Sequence, residues 1–93
     1  MDEPLNPSDA RRLIRTILAD GVVTTTRHAR DEMAKDRLTL VDCVNVLRGG
    51  IVEPAEWEHG AWRYRVRTAP IYVVIEFASE EELIIITTWR TRS

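Results

Sequence analysis

Apolar positions recur every three or four residues through the first half of the chain and every second residue after Ile51, so helices are expected first and strands second. Asn6-Pro7-Ser8-Asp9 reads as a helix start: Asn6 caps, Pro7 suits the first helical position, and Asp9 places a carboxylate in the first turn. Leu13, Ile14, Ile17 and Leu18 give this helix a buried side, Arg11, Arg12 and Arg15 face water, and Asp20-Gly21 ends it. Val22 to Thr26 is β-branched and predicts a short strand or an extended lead-in. A second helix is predicted from about His28 to Lys35, starting at Thr26 or Arg27, with Ala29 and Met33 inward and Asp31 paired to Lys35. A third follows Thr39, which forms a capping box with Asp42; Leu40, Val44 and Leu47, with Cys43 beside them, make its core face, and Gly49-Gly50 stops it.

The second half reads as strands. Ile51-Val52-Glu53 begins one that Pro54 confines to an edge or a bend. Trp62-Arg63-Tyr64-Arg65-Val66-Arg67 alternates without a break, aromatics and valine one way and three arginines the other. Ile71–Phe77 and Leu83–Ile86 are nearly continuous apolar runs, the second continuing into Trp89, and Ser79-Glu80-Glu81 joins them as a hairpin. Glu56–Gly60 reads as a polar loop carrying Trp57 and His59. The prediction is an α+β fold: two or three N-terminal helices packed on a twisted antiparallel β-meander. Ninety-three residues accommodate a single domain, 1–93, with 1–6 as a flexible lead.

Composition narrows the chemistry. A chain that is 44% hydrophobic and 30% charged can offset the entropy of folding. No apolar run approaches the roughly 18 to 20 residues of a membrane span, and the acidic Met-Asp-Glu-Pro start lacks a secretory pattern. One cysteine excludes an internal disulfide and suits a cytoplasmic setting without membrane contact. Two histidines and one cysteine far apart predict no metal site and no other cofactor. The net charge of −2 argues against a wholesale nucleic-acid footprint, yet twelve of the thirteen basic residues are arginine, the bidentate reader of phosphate.

The arginine row is the strongest local feature. Strand geometry sets Arg63, Arg65 and Arg67 roughly 6 to 7 Å apart on one face, near the phosphate repeat of an extended single strand. The alternative is a solvated sheet face paired with Glu53, Glu76 or Glu82. His28, at a helix start beside Arg27 and Arg30, is a candidate base for a ribose hydroxyl, or a junction residue. Trp89 can stack a base, although alternation turns Arg90 the other way. Tyr64 can donate to a phosphate if its hydroxyl reaches a cleft, and is otherwise core. Cys43 sits on a core face and reads as inert.

The stretch from Thr26-Arg27-His28-Ala29 through Met33 to Leu38-Thr39 resembles the "T-x-H-A-x-x-x-M-x-x-x-x-hydrophobic-S/T" opening of a family of small bacterial domains. Asp42-Cys43-Val44-Asn45-Val46-Leu47 to Gly49-Gly50 is similar to the same family's "D-V-x-x-V-L-x-x-G" helix, and Arg63-Tyr64-Arg65 and Ile86–Arg90 continue the likeness. These domains are similar to the RelE/ParE/MqsR-like toxins of type II toxin–antitoxin systems. The resemblance spans about residues 22–90 and implies a metal-independent endoribonuclease that cleaves mRNA through the ribose 2′-hydroxyl. By it, His28, Arg63, Tyr64 and Arg90 match the family's recurrent polar positions and would be catalytic; strand alternation together with the resemblance adds Arg65, and the arginine row and base stacking make Arg67 and Trp89 the residues expected to hold RNA. It also implies a cognate antitoxin, of zinc-binding and helix-turn-helix architecture in related pairs, and contact with the ribosome. The low pI and single lysine depart from that pattern. The low pI keeps one rival open, a non-catalytic protein-binding module of the same fold, and the shared fold keeps another, a ParE-like topoisomerase inhibitor.

Overall fold

The computed structural model describes residues 1–91, so Arg92, two positions after Arg90, lies outside the described residues. Helix α1 spans Pro7–Asp20, strand β1 Val22–Thr25, α2 Arg27–Lys35 and α3 Leu40–Gly49. The strands β2 Ile51–Val52, β3 Glu56–Glu58, β4 Ala61–Arg67, β5 Ile71–Ser79 and β6 Glu82–Arg90 follow. The helices begin where side chains accept orphan amides. Asp9 N–H donates to Asn6 Oδ1 at 2.8 Å, and Ala29 N–H to Thr26 Oγ1 at 3.0 Å. Thr39 and Asp42 close a reciprocal box, with bonds of 2.8 and 3.1 Å.

The fold is α+β with a mixed sheet, which corrects the expected all-antiparallel meander. The order is β1-β6-β5-β4-β2, with β3 paired to β4 off that path. Strands β2, β4, β5 and β6 pair antiparallel, whereas β1 lies parallel to β6, Val22 to Thr25 beside Glu82 to Ile85. The physical reason is the long connection through α2, α3 and the meander, which returns the chain in the same direction. Where β1 ends, Thr26 N–H still bonds Ile85 O at 3.0 Å; α2 then runs beside the rest of β6, and Asp36 Oδ2 accepts Arg90 N–H at 2.7 Å.

All three helices bury their apolar sides in one cluster against one sheet face. Ala10, Ile14 and Ile17 come from α1, Ala29 and Met33 from α2, and Cys43, Val46 and Leu47 from α3. They meet Tyr64, Val66, Val73, Ile75, Phe77, Leu83 and Ile85 from the sheet. The α3 face is rotated from the expected one: Val46 is buried, Val44 half-buried and Leu40 exposed, because Leu40 sits at the open first turn. Lys35 pairs with Glu32 at 3.4 Å rather than with Asp31. Residues 1–6 are not a loose lead either, because Leu5 packs half-buried on the core and its N–H donates to the Tyr64 hydroxyl at 3.0 Å.

A bulge phases the last strand. Val74 pairs with Thr87 but Ile75 with Ile85, so Ile86 is the extra residue on β6. Leu83 and Ile85 face the helices before it and Thr88 faces them after it, the Thr88 hydroxyl donating to Tyr72 O at 2.7 Å. Trp89 is thereby turned to the uncovered side.

The α3–β2 junction gives a stability prediction. A Cβ on Gly50 would lie 2.6 Å from Val46 O and 2.8 Å from Arg67 O, both backbone atoms, whereas one on Gly49 meets nothing within 4 Å. Gly50→Ala should cost about 1 to 3 kcal/mol through overpacking. Gly49→Ala should be neutral or stabilise by up to about 1 kcal/mol through helix propensity. Urea midpoints of the two variants check the opposed signs.

Candidate functional site on the uncovered sheet face

Among the described residues no helix covers the second face of the sheet. Alternation along β4 puts Arg63, Arg65 and Arg67 there, opposite to buried Tyr64 and Val66. Neighbouring strands add Tyr72, Val74 and Glu76 from β5 and Ile84, Thr87 and Trp89 from β6, in register with the arginines. The Tyr72 and Trp89 rings stack with centroids 5.0 Å apart and planes 4° from parallel. The Arg65 guanidinium lies over both, 5.9 Å from the Tyr72 ring centre and 5.8 Å from that of Trp89, within cation–π range. Trp89 thus occupies the arginine face and Arg90 does not, in line with the expected alternation at that pair.

Each arginine of the row already has a carboxylate. Arg63 Nε bonds Glu76 Oε2 at 2.9 Å and its Nη1 lies 3.8 Å from Glu58 Oε2. Glu53 serves two partners: Oε2 bonds Arg67 Nε at 2.7 Å and Oε1 sits 3.8 Å from Arg65 Nη1. The three arginine side chains are 20 to 38 % exposed, so they are partly withdrawn from water and these pairs are less screened than fully exposed ones. Of the two arrangements the sequence left open, the glutamate-paired face is the one observed, with Glu58 added and Glu82 occupied elsewhere by the Thr24 hydroxyl. Arg65 Nε is buried without an acceptor, a donor left to face the aromatic pair. Between Pro54, Glu56, Glu58, Arg63, Arg65 and Val74 lies a hollow of only about 20 Å³, room for a water molecule.

The other predicted site residues stand apart. Tyr64 is completely buried in the helical core; its hydroxyl donates to Glu3 Oε2 at 2.8 Å and accepts from Leu5 N–H. A strand cannot aim residues i−1, i and i+1 at one ligand, so Tyr64 is a core residue and not a partner of Arg63 and Arg65. Arg90 is tied to the C-terminal end of α2, its N–H and Nε bonding Asp36 Oδ2 and Asp36 O at 2.7 and 3.4 Å. His28 is exposed in the first turn of α2 and makes no hydrogen bond or ion pair among the described residues. No bond therefore joins the imidazole to the arginine row. Cys43 Sγ lies buried 3.6 Å from Met33 Sδ and 3.8 Å from Thr88 Oγ1, and burial pushes its thiol pKa up, which suits an inert core residue.

Three features of this region escaped the sequence reading. Glu56–Glu58 is a strand and not a loop, paired to β4 through a two-residue turn at His59 and Gly60, with φ of 51° and 81°. Trp57 consequently meets Trp62 edge to face at 5.2 Å across that hairpin. Tyr72 was hidden in an apolar run; its signal is the i, i+4 spacing to Glu76, which marks the wet side of β5. Among the described residues no group of three or more His, Cys, Asp or Glu side chains is placed to hold a metal, and no helix is long and apolar enough to cross a membrane.

Burial pushes the Tyr64 pKa from 10.0 up to about 12, with the Glu3 carboxylate adding to the rise and the Leu5 amide opposing it. The unfolded chain then ionises this group first, so its contribution to stability is intact below pH 10 and is lost between about pH 10 and about pH 12. Tyr64→Phe should abolish that alkaline slope and cost about 1 to 2 kcal/mol at neutral pH by stranding Leu5 N–H and Glu3. Denaturant unfolding across the alkaline range measures both effects.

Neither the curated proteins nor the solved structures include a significant match to this chain. Residues 25–90, more than two thirds of the sequence, match the model of a family described as a domain of unknown function, DUF4258. The match runs from the end of β1 through β6 and so includes α2, α3, the arginine row, the aromatic pair and all three of the glutamates that neutralise the row. The chain is a member of the DUF4258 family.

Proposed function

We propose that this chain is the toxin of a toxin–antitoxin pair and holds single-stranded RNA on the uncovered sheet face. The observation that carries the proposal is the Arg65 guanidinium laid over the stacked Tyr72 and Trp89 rings, between Arg63 and Arg67. Aromatic faces and guanidinium planes accept any base by stacking, at about 1 to 3 kcal/mol per base, while neighbouring cations follow the phosphates. RNA and a neutralising antitoxin are then its partners, in keeping with the resemblance to RelE/ParE/MqsR-like toxins.

Cleavage demands more than holding. In metal-independent transfer a base takes the 2′-hydroxyl proton, O2′ attacks the adjacent phosphorus, the P–O5′ bond breaks, and the 5′-oxygen takes a proton from water, giving a 2′,3′-cyclic phosphate and a 5′-hydroxyl. On this face the base would be Glu53, wedged between Arg65 and Arg67, which would in turn steady the charge on phosphorus. This assignment replaces His28, Tyr64 and Arg90 in the catalytic roles that the resemblance implies for them.

A specific observation also favours a second reading. Every guanidinium of the row is already paired and the hollow beside it has room for only one water, features that suit a face docking a protein partner and cutting nothing.

One experiment separates them. Purified protein is mixed with a labelled single-stranded RNA and EDTA, and both binding and chain scission are read. Arg65→Ala and Trp89→Ala should each weaken binding about tenfold, the equivalent of one stacking contact. Glu53→Gln should abolish scission and leave binding intact or tighter. Binding that is untouched in the Arg65 and Trp89 variants removes the RNA face, RNA bound but uncut removes the cleavage step, and RNA neither bound nor cut leaves the docking module. Expression that damages DNA and spares RNA would instead indicate a topoisomerase inhibitor.

A further inference from the structure

The uncovered face is not where unneutralised positive charge collects. On the helical layer, two adjoining hollows of about 360 and about 500 Å³ share Arg15 and Ala19. The first is lined by Arg15, Leu18, Ala19 and Arg48, and the second extends it along α1 past Arg11 and Arg12. Arg11, Arg15 and Arg48 form no ion pair among the described residues, unlike every arginine of the β4 row. The carboxylates nearby are Asp20, which lines the second hollow, and Asp9, held 3.6 Å from the largely exposed Arg12. A basic groove is thus present on a chain whose net charge is −2.

The groove is also partly organised. Arg15 Nη2 donates to Arg48 O at 3.5 Å and Arg11 Nη1 to Gly50 O at 3.4 Å, so both guanidiniums rest on the C-terminal end of α3. Arg48 Nη1 donates to Asn45 Oδ1 at 3.1 Å. Each such bond uses one of five N–H donors and leaves the others for a carboxylate, which guanidinium meets in two parallel hydrogen bonds. Between these charged walls the lining is apolar, from Leu18 and Ala19.

We infer that the groove between α1 and the C-terminal end of α3 docks an acidic segment of a protein partner, its carboxylates on Arg11, Arg15 and Arg48 and its apolar side chains on Leu18 and Ala19. Charge complementarity selects the occupant, and the apolar lining favours a peptide over a phosphate backbone, which has no hydrophobic group to place there. The site is separate from the sheet face and stands or falls without it.

The test uses the full chain and a fluorescent synthetic peptide that alternates pairs of glutamate with pairs of leucine, followed by anisotropy. The wild-type protein should bind it, increasingly so at low salt. Arg15→Glu combined with Arg48→Glu should weaken binding at least tenfold, and Arg30→Ala, on the exposed side of α2, should leave it unchanged. Because the glutamates could loosen the end of α3, Arg15→Gln with Arg48→Gln, which keeps a donor at each position, should weaken binding in the same direction with an unaltered unfolding midpoint. Absence of binding by the wild type, or binding by both double variants as tight as that of the wild type, overturns the inference. Loss of oligouridine binding in the groove variants, in place of peptide binding, overturns it as well and makes the groove a seat for RNA.

Discussion

The organisation of this molecule follows from a sheet that has helices for one of its faces only. Fourteen-residue α1 and two shorter helices supply enough apolar surface to cover the side bearing Tyr64, Val66, Val73, Ile75, Leu83 and Ile85, and nothing remains for the other. Side chains on the second side must therefore satisfy one another. They do so with ions and rings: Glu53 just after β2, Glu58 of β3 and Glu76 of β5 take up the guanidiniums of β4, and Tyr72 and Trp89 bury their faces against each other and beneath Arg65. A sheet face built in this way is close to electrically neutral.

That neutrality shapes what the face can do. A phosphate arriving at Arg65 or Arg67 competes with Glu53 for the same N–H groups, so the gain from each contact is the difference between two anions and not the full charge-assisted bond. Stacking on the ring pair carries no such competition. Affinity on this face is expected to come mainly from bases and only secondarily from the phosphate chain, which implies a shallow dependence on salt. The α1–α3 groove has the opposite balance, with guanidiniums held by backbone carbonyls and not by carboxylates.

Local chemistry was legible in the chain and long-range geometry was not. The caps at Asn6, Thr26 and Thr39 were readable because each is decided within four residues. The arginine row was readable for the same reason, and alternation alone already separated Tyr64 from the arginines on either side of it. What stayed hidden depends on distant partners: the parallel placement of β1 beside β6, the Tyr72–Trp89 stack, and the anchoring of residues 1–6 through Leu5 and Glu3 on Tyr64. The position of His28 relative to the row belongs with these, since helix docking leaves no trace in periodicity.

The unpaired residue Ile86 on β6 has a consequence for how such a surface changes over time. Strand β6 is in one phase before that point and in the other after it, so a gain or loss of one codon there exchanges what the last four residues show to solvent and what they show to the helices. The interior upstream, Leu83 and Ile85, would keep its partners. Binding properties at this end of the sheet can be rewritten by length variation alone, with no amino-acid replacement in the core.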